Sequence, residues 1–464
     1  MEKSGLQYLP QSTQAISTHS PNQELLPLSA RVNDQDHLEI GGCDVKLLVE
    51  RFGSPLYIVD EYTLRTACRQ YRDAFKQYYP GESLVLYASK AWSCLAICAV
   101  VASVGLGLDV VSGGELYTAI AAGVSPQTLY LHGNNKSTEE LQLAIDSGCT
   151  VVIDNWLELH KLTELSKSAS TQAPVRVMVR LTPGIECHTH EYIRTGHLDS
   201  KFGFDPNQLD ELFGAIAQQP TLNCIGLHAH IGSQIFELQP HEDLASVITE
   251  AVTKASQYGL NITEVNIGGG LGIRYTEADD PPSIETWAQT VCQSMVKACQ
   301  QHNIELPKLL CEPGRSIVGP ACITAYTVGA EKQIPEIRTY LSVDGGMSDN
   351  PRPITYQSVY RVVVANRMSA PLTQTVTVAG KHCESGDILI KDAQLPQSET
   401  GDILAVLATG AYNYSMASNY NRLPRPAAIL VSEGECNLIL ERESYQDLIR
   451  QDRLPERLAA FKDK

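Results

Sequence analysis

The chain has 464 residues, 43% hydrophobic and 19% charged, an ordinary globular composition with room for two or three domains. Its net charge of −17 argues against broad electrostatic binding to nucleic acid or to an anionic membrane, so an anionic ligand must be captured by local groups. No apolar run reaches the roughly 18 residues of a membrane span, and the 13 cysteines, odd in number and without a CxxC pair, suit a reducing, cytoplasmic setting.

Residues 1–30 are rich in Gln, Ser, Thr and Pro without periodicity and read as a mobile tail. They lack the basic and apolar regions of a secretory signal. Residues 38–60 read as short extended pieces ending in Pro55-Leu-Tyr-Ile-Val-Asp60, and a helix over 61–79 is closed by Pro80-Gly81. From there short apolar strands alternate with helical runs. The strands fall at 83–89, 107–112, 128–133, 150–155, 175–182, 225–231, 264–268 and 308–312, with helices at 138–148, 155–169, 208–219, 241–259 and 285–303. Near-continuous apolar strands joined by helices make a parallel sheet covered on its faces, and eight such units close into a (β/α)8 TIM-type barrel, here over 55–315. An open doubly wound sheet is the alternative from strand pattern alone. Beyond 316 extended runs at 317–328, 339–343, 373–378 and 427–430 are set off by Pro and Gly. This predicts a second, mostly β domain of residues 316–464, completed by 31–54.

A barrel keeps its chemistry at the C-terminal ends of its strands. The first strand ends at Lys90, a position where burial can lower an ammonium's pKa and free its amine as a nucleophile, although most lysines simply reach water. The second strand carries Asp109, the third ends at His132, the fourth at Asp154 and the sixth in His228-Ala-His230-Ile-Gly-Ser233. The seventh ends in Gly268-Gly269-Gly270 and the eighth in Glu312-Pro-Gly314-Arg315. Glycines after strands seven and eight let backbone N–H groups approach a phosphate, with Ser233 and Arg315 to complete the cradle. A strand-end lysine, a phosphate cradle and a carboxylate to face a pyridine nitrogen together describe pyridoxal 5'-phosphate. His230 is placed to stack on such a ring, and Asp109 joins the cofactor-binding set. The His228-Ala-His230 pair and Cys187-His188-Thr-His190 invite a zinc reading, but no second set has standard ligand spacing, so no metal is expected.

Several strings together resemble one family, the diaminopimelate decarboxylases, within the alanine racemase and ornithine decarboxylase fold class. In the barrel they are Tyr87-Ala-Ser-Lys90-Ala, Leu108-Asp-Val-Val-Ser-Gly-Gly-Glu115, Gly184-Ile-Glu through Thr195-Gly, and Asp199-Ser-Lys-Phe-Gly203. Gly226-Leu-His-Ala-His-Ile-Gly-Ser233, Asn266-Ile-Gly-Gly-Gly270 and Glu312-Pro-Gly-Arg315 follow. The more specific strings lie in the second domain: Asp344-Gly-Gly-Met-Ser-Asp-Asn-Pro-Arg352-Pro with Tyr356, His382-Cys383-Glu384-Ser-Gly-Asp387, and Gly410-Ala-Tyr412-Asn-Tyr-Ser-Met.

The resemblance implies the barrel-plus-β fold and a cofactor carried on Lys90. It implies a pocket from His230, Ser233, Gly269, Gly270, Glu312, Gly314, Arg315 and Tyr412. Arg315, Arg352, Tyr356, Glu384 and Tyr412 resemble the substrate-binding set, and Cys383 the proton donor that reaches into a partner's active site across a homodimer interface. The implied reaction is decarboxylation of meso-2,6-diaminopimelate at its D centre to L-lysine and CO2, the last step of lysine biosynthesis. Trp92 departs from the family, which usually has Asn there. The alternatives are a decarboxylase of arginine, ornithine or carboxynorspermidine, whose substrates lack a distal carboxylate, and a non-catalytic regulator that kept the cofactor. An amino-acid racemase would place an arginine where Glu312 stands.

Overall fold

The structure is a computed structural model and describes residues 3–10, 20–168, 173–185 and 200–459. Eight parallel strands close into a barrel: Ser83–Ala88, Gly107–Val110, Leu129–Leu131, Thr150–Ile153, Val175–Leu181, Leu222–Ala229, Glu264–Asn266 and Lys308–Cys311. The last pairs in parallel with the first, Leu310 opposite Leu84, which excludes the open doubly wound alternative. Helices such as Thr138–Ser147, Gln239–Gln257 and Ile284–His302 cover the outside. Their ends follow local rules: Ser137 and Glu140 form a reciprocal capping box, and Ser283 accepts from the Thr286 N–H.

Strand alternation sets the barrel's interior. Leu86, Tyr130, Val152, Met178 and Leu310 pack as one apolar layer. Two residues further along come His132, Asp154, Arg180 and Glu312, a polar layer toward the strand C-termini, with the small Ala88 at the same level. A period of two puts both layers on the inner face. Each apolar side chain contributes roughly 1.5–3 kcal/mol of burial, which supports the costly polar layer above it. Where strands come closest only glycine fits: a Cβ on Gly107 would lie 2.4 Å from the Thr128 carbonyl oxygen.

The second unit is a nine-stranded sheet built around the long strand Cys322–Ile334, which pairs with Leu56–Asp60, Arg338–Val343 and Ile403–Val406. Strand Leu56–Asp60 lies between Cys322–Ile334 and Ala427–Ser432 in this sheet. A barrel boundary drawn at residue 55 therefore assigns that strand to the wrong sheet. Helix Glu61–Tyr78 then leads into the barrel. Residues 317–328 are not one extended run: Arg315–Val318 is a helical turn and the strand starts at Cys322.

Residues 38–54 are not all extended either. After Leu38–Ile40 and Cys43–Asp44 comes a helix, Val45–Phe52, capped by Asp44, which accepts from the Lys46 and Leu47 N–H groups. The signal was present as Val45, Leu48 and Val49 at helical spacing with Gly53 at the C-terminus. The expected mobile tail does not hold for its described residues: Ser4 pairs with Pro371, and residues from Ser20 on are packed. Asn22 is buried and donates to the carbonyls of Gly272 (3.1 Å) and Pro282 (2.9 Å), Ser20 accepts from the Ile284 N–H (2.9 Å), and Leu26 is fully buried. Polar side chains satisfied by loop backbone leave no periodic trace in sequence.

Trp92 is fully buried at the seam between the two units, stacked on Tyr414 (5.4 Å between ring centroids) and edge-on to Tyr57 (5.5 Å). It does not line the cavity described below.

Candidate active site

A cavity of about 420 Å³ opens at the C-terminal ends of the barrel strands. Lys90, Asp109, His230, Ser233, Gly270 and Glu312 line it from the barrel, with Gly314 and Arg315 beside them. Arg352, Tyr356 and Tyr412 line it from the second unit. Gly269 sits just behind, where an added Cβ would meet the Glu312 carbonyl oxygen at 2.3 Å. Cys383 and Glu384 do not line this cavity. Both are exposed: the Cys383 N–H donates to Asn421 (2.8 Å), and Tyr420 donates to the Glu384 carboxylate (3.2 Å).

Lys90 occupies a single helical turn, Ser89–Ala91, held because Ser89 Oγ donates to the Asp109 carbonyl (2.8 Å) and the Glu115 carboxylate (2.7 Å). The side chain is accessible, but the surface it exposes is the cavity's, and protein surrounds it on every side. Burial works against its charge; Asp109, Tyr412 and Glu312 outweigh burial and hold the ammonium above its ordinary range. The lowered lysine pKa expected from sequence is thus reversed by acidic neighbours that the strand end alone does not reveal.

Glu312 is buried and multiply held. Oε1 accepts from Asn266 (2.6 Å) and lies 2.8 Å from His132 Nε2; Oε2 lies 3.1 Å from His228 Nε2. Burial alone would raise its pKa, but the two imidazoles hold it well below the usual carboxylate range. Burial in turn pushes His228 down to about 3, which makes it a neutral ring. The two directions agree if His228 acts as an N–H donor, since the carboxylate needs the hydrogen bond more than a second full charge. Asp109, 3.8 Å from His132 Nε2, is driven the other way, up to about 6, by burial and then by Glu312 against the pull of His132. Two carboxylates in one cavity are therefore held in opposite protonation tendencies.

His230 accepts the Gly269 N–H at Nδ1 (3.2 Å), and burial, with Lys90 and Arg180 next, keeps its pKa well below the ordinary value. It is a neutral imidazole whose Nδ1 is engaged by backbone. The glycine turn beside it depends on left-handed backbone at Gly268 (φ 67) and Gly270 (φ 135), and a Cβ on Gly268 would lie 2.6 Å from His230 Nδ1. Tyr412 also has positive φ (69), uncommon for a tyrosine, and its N–H donates to the Ala91 carbonyl (2.8 Å) one residue beyond Lys90.

The two cavity arginines meet. Arg315 donates to Ser233 Oγ (3.0 Å) and Tyr275 Oη (2.8 Å); Arg352 donates to the same Tyr275 Oη (2.7 Å) and to Tyr360 Oη (2.8 Å). Among the described residues neither guanidinium is hydrogen-bonded to a carboxylate. Sequence reasoning did not single out Tyr275, Tyr360 or Arg180, and it named Asn266 only as the head of a family string, without a role. Arg180 could have been found from its inward register two residues after Met178; Tyr275 and Tyr360 carry no such signal.

His132, His228 and Glu312 also bring ligand-type atoms within 4.8 Å of one another. Each histidine nitrogen already faces a Glu312 oxygen at hydrogen-bond distance, so the cluster serves the carboxylate. Cys187, His188 and His190 lie outside the described residues.

The site suits pyridoxal phosphate. The glycine turn leaves room for close approach of an oxyanion, Lys90 supplies an amine, and Glu312 is an ionised buried carboxylate across the cavity. Residues 62–319 match the family model described as "Pyridoxal-dependent decarboxylase, pyridoxal binding domain". A diaminopimelate decarboxylase from Synechocystis sp. is 66% identical over 447 residues, covering 95% of each chain. The chain belongs to the diaminopimelate decarboxylases, a family of pyridoxal-dependent decarboxylases. The Bacillus subtilis member is 44% identical over 91% of this chain and 97% of its own. The M. jannaschii diaminopimelate decarboxylase in complex with L-lysine superposes with a TM-score of 0.88 at 33% identity, over 95% of this chain and 100% of that one. A lysine/ornithine decarboxylase from Vibrio vulnificus, 21% identical with a TM-score of 0.71, shares the fold.

Proposed function

We propose that this chain decarboxylates meso-2,6-diaminopimelate at its D centre, releasing CO2 and L-lysine, as the last step of lysine biosynthesis. The observation that carries the reading is the pair of buried arginines at the cavity wall, Arg315 and Arg352, which share Tyr275 behind them and have no carboxylate partner among the described residues. Two uncompensated guanidiniums are costly to bury unless a ligand brings an anion. The distal carboxylate of diaminopimelate is such a ligand; ornithine, arginine and carboxynorspermidine have none to offer there.

In this reading Lys90 holds pyridoxal phosphate through its amine, while Gly269, Gly270, Gly314 and Ser233 hold the phosphate. When bound, the cofactor supplies the electron sink for the charge left at Cα as CO2 departs. Glu312, kept ionised by Asn266, His132 and His228, holds a proton on the ring nitrogen. His230 presents a neutral imidazole beside Lys90. Arg315, Arg352 and Tyr356 orient the distal end, and Glu384 takes the distal ammonium. Cys383 returns a proton from Sγ to Cα.

The exposure of Cys383 and Glu384 outside the cavity supports the further reading that they serve a partner's cavity in a homodimer with shared active sites. Mixing Lys90→Ala and Cys383→Ala chains, each inactive alone, is expected to restore part of the activity, because mixed dimers rebuild one intact site. No helix among the described residues is long and apolar enough to cross a membrane. The free, buried thiols fit a reducing cytoplasm.

The test is a panel of meso-diaminopimelate, arginine, ornithine, lysine and carboxynorspermidine with added pyridoxal phosphate, reading CO2 and the amine product. CO2 from meso-diaminopimelate alone is expected. Comparable release from ornithine or arginine would overturn the assignment. Lys90→Ala should lose both turnover and the visible absorbance of bound cofactor.

A further inference from the structure

We propose that Tyr275 is a specificity-determining positioning residue, whose hydroxyl sets the two arginines at the spacing that receives the substrate's distal carboxylate. The inference rests on the functional reading above and names a residue behind the site that governs it.

Three separate pieces of chain meet at this hydroxyl. Tyr275 lies in the loop after the seventh barrel strand, Arg315 follows the eighth, and Arg352 begins the short helix Arg352–Tyr356 of the second unit. All three side chains are buried. Both guanidiniums donate to the one oxygen, at 2.8 and 2.7 Å. Without an acceptor between them, two like charges at this separation would repel and swing apart. A carboxylate in the same place would hold them equally well, but it would neutralise them and compete with the incoming anion. A hydroxyl takes one N–H from each and brings no fixed negative charge, although the two guanidiniums outweigh burial and hold its pKa below the ordinary tyrosine value.

Tyr275 is itself fixed from behind. Its N–H donates to Asp279 Oδ2 (3.1 Å), as do the N–H (2.8 Å) and hydroxyl (3.0 Å) of Thr276, and its ring packs edge-on against Tyr360 at 5.3 Å. The preceding residue is tied to the N-terminal segment, since the Arg274 N–H donates to the Asn22 carbonyl at 2.8 Å. Tyr275 does not line the active cavity. It lines a second cavity on the far side of Arg352, together with Gln234, Ser358 and Arg361. It therefore acts through the arginines and does not touch substrate.

The test is Tyr275→Phe in the full chain with pyridoxal phosphate, compared with wild type. Removing one oxygen should raise KM for meso-diaminopimelate about tenfold or more, the scale of a lost hydrogen bond to a charged group. Turnover at saturation and the visible absorbance of the bound cofactor should stay close to wild type. Two inhibitors separate the cause. L-lysine retains the distal ammonium and carboxylate, so its inhibition should weaken by the same factor as KM; cadaverine has no carboxylate, and its inhibition should be unchanged. Unchanged KM and unchanged L-lysine inhibition would overturn the proposal. So would equal weakening toward cadaverine, or a fall in turnover with KM intact. If Tyr275→Phe does not fold, Tyr275→Leu, which also lacks any acceptor, is read by the same criteria. Failure of wild type to release CO2 from meso-diaminopimelate would instead refute the functional reading, and this proposal with it.

Discussion

Replacing Lys136 by methionine removes one ammonium from the wall between the third and fourth barrel strands. Lys136 Nζ donates to Glu158 Oε1 (2.6 Å), the Gly133 carbonyl (2.8 Å) and the Val152 carbonyl (2.7 Å), and the two charged side chains are only 2% and 3% exposed. Burial works against both charges, lowering Lys136 and pushing Glu158 up to about 7; the 2.6 Å contact is what sustains the ion pair. Methionine fills nearly the same volume, so little cavity forms, but Glu158 is left buried without its partner. Breaking such a pair costs about 3–5 kcal/mol. The double variant Lys136→Met/Glu158→Leu removes the stranded carboxylate and leaves two unmet carbonyls, at about 1 kcal/mol each, so it should recover part of the loss. The pH dependence has a definite sign. In the single variant Glu158 lacks its counter-charge, and its folded-state pKa moves further above the ordinary 4.5. Below about 7 the wild-type carboxyl keeps the same proton, so the deficit relative to wild type is small at low pH and grows as pH rises above about 7, where wild-type Glu158 ionises against Lys136 and the variant's cannot. Urea unfolding followed by far-UV circular dichroism at several pH values measures this. A deficit below about 1 kcal/mol, independent of pH, or a double variant no better than the single one, would refute the reasoning.

Gly269→Ala sets a methyl carbon 2.3 Å from the Glu312 carbonyl oxygen, a backbone atom that cannot step aside; cofactor affinity, titrated by absorbance, should fall about tenfold or more. Trp92→Asn, toward the residue usual in the family, should cost about 3–5 kcal/mol of stability in thermal or urea unfolding yet leave KM unchanged, since Trp92 packs on Tyr414 and Tyr57 outside the cavity. Asp387 accepts from the His382 N–H (2.9 Å), His382 Nδ1 (2.8 Å) and the Met347 N–H (2.7 Å), so it clasps the loop that carries Cys383 and Glu384. Asp387→Asn should lower kcat by about tenfold or more with the cofactor's absorbance intact, in steady-state assays, if that loop delivers the proton.

Much of the barrel is written locally. Alternating strand residues place Tyr130 before His132 and Leu310 before Glu312, so an apolar layer and a chemical layer follow from one period of two. The strand ends therefore point to Lys90, Asp109, His230 and Glu312 from sequence alone. Helix Val45–Phe52 is as legible, from its Asp44 cap and Gly53, although the short apolar pieces around it read as extended. The packed segment after Ser20 was not legible, because its anchors are single polar side chains meeting the backbone of a loop some 250 residues away in sequence.

What the sequence by itself determined is the set of chemical types at strand ends, since periodicity and turn residues are short-range and survive in a linear reading. What only the tertiary structure decided is how those groups act on one another. Lys90 has a raised pKa because Asp109 and Glu312 converge on it from other strands. Asp109 and Glu312 are driven apart because burial raises Asp109 while His132 and His228, both facing Glu312, outweigh its burial. Arg315 and Arg352 meet at one oxygen because Tyr275, from a third place in the chain, lies between them. Coulombic and hydrogen-bond energies depend on distances that strand order and domain packing create, and no local pattern of residues encodes them.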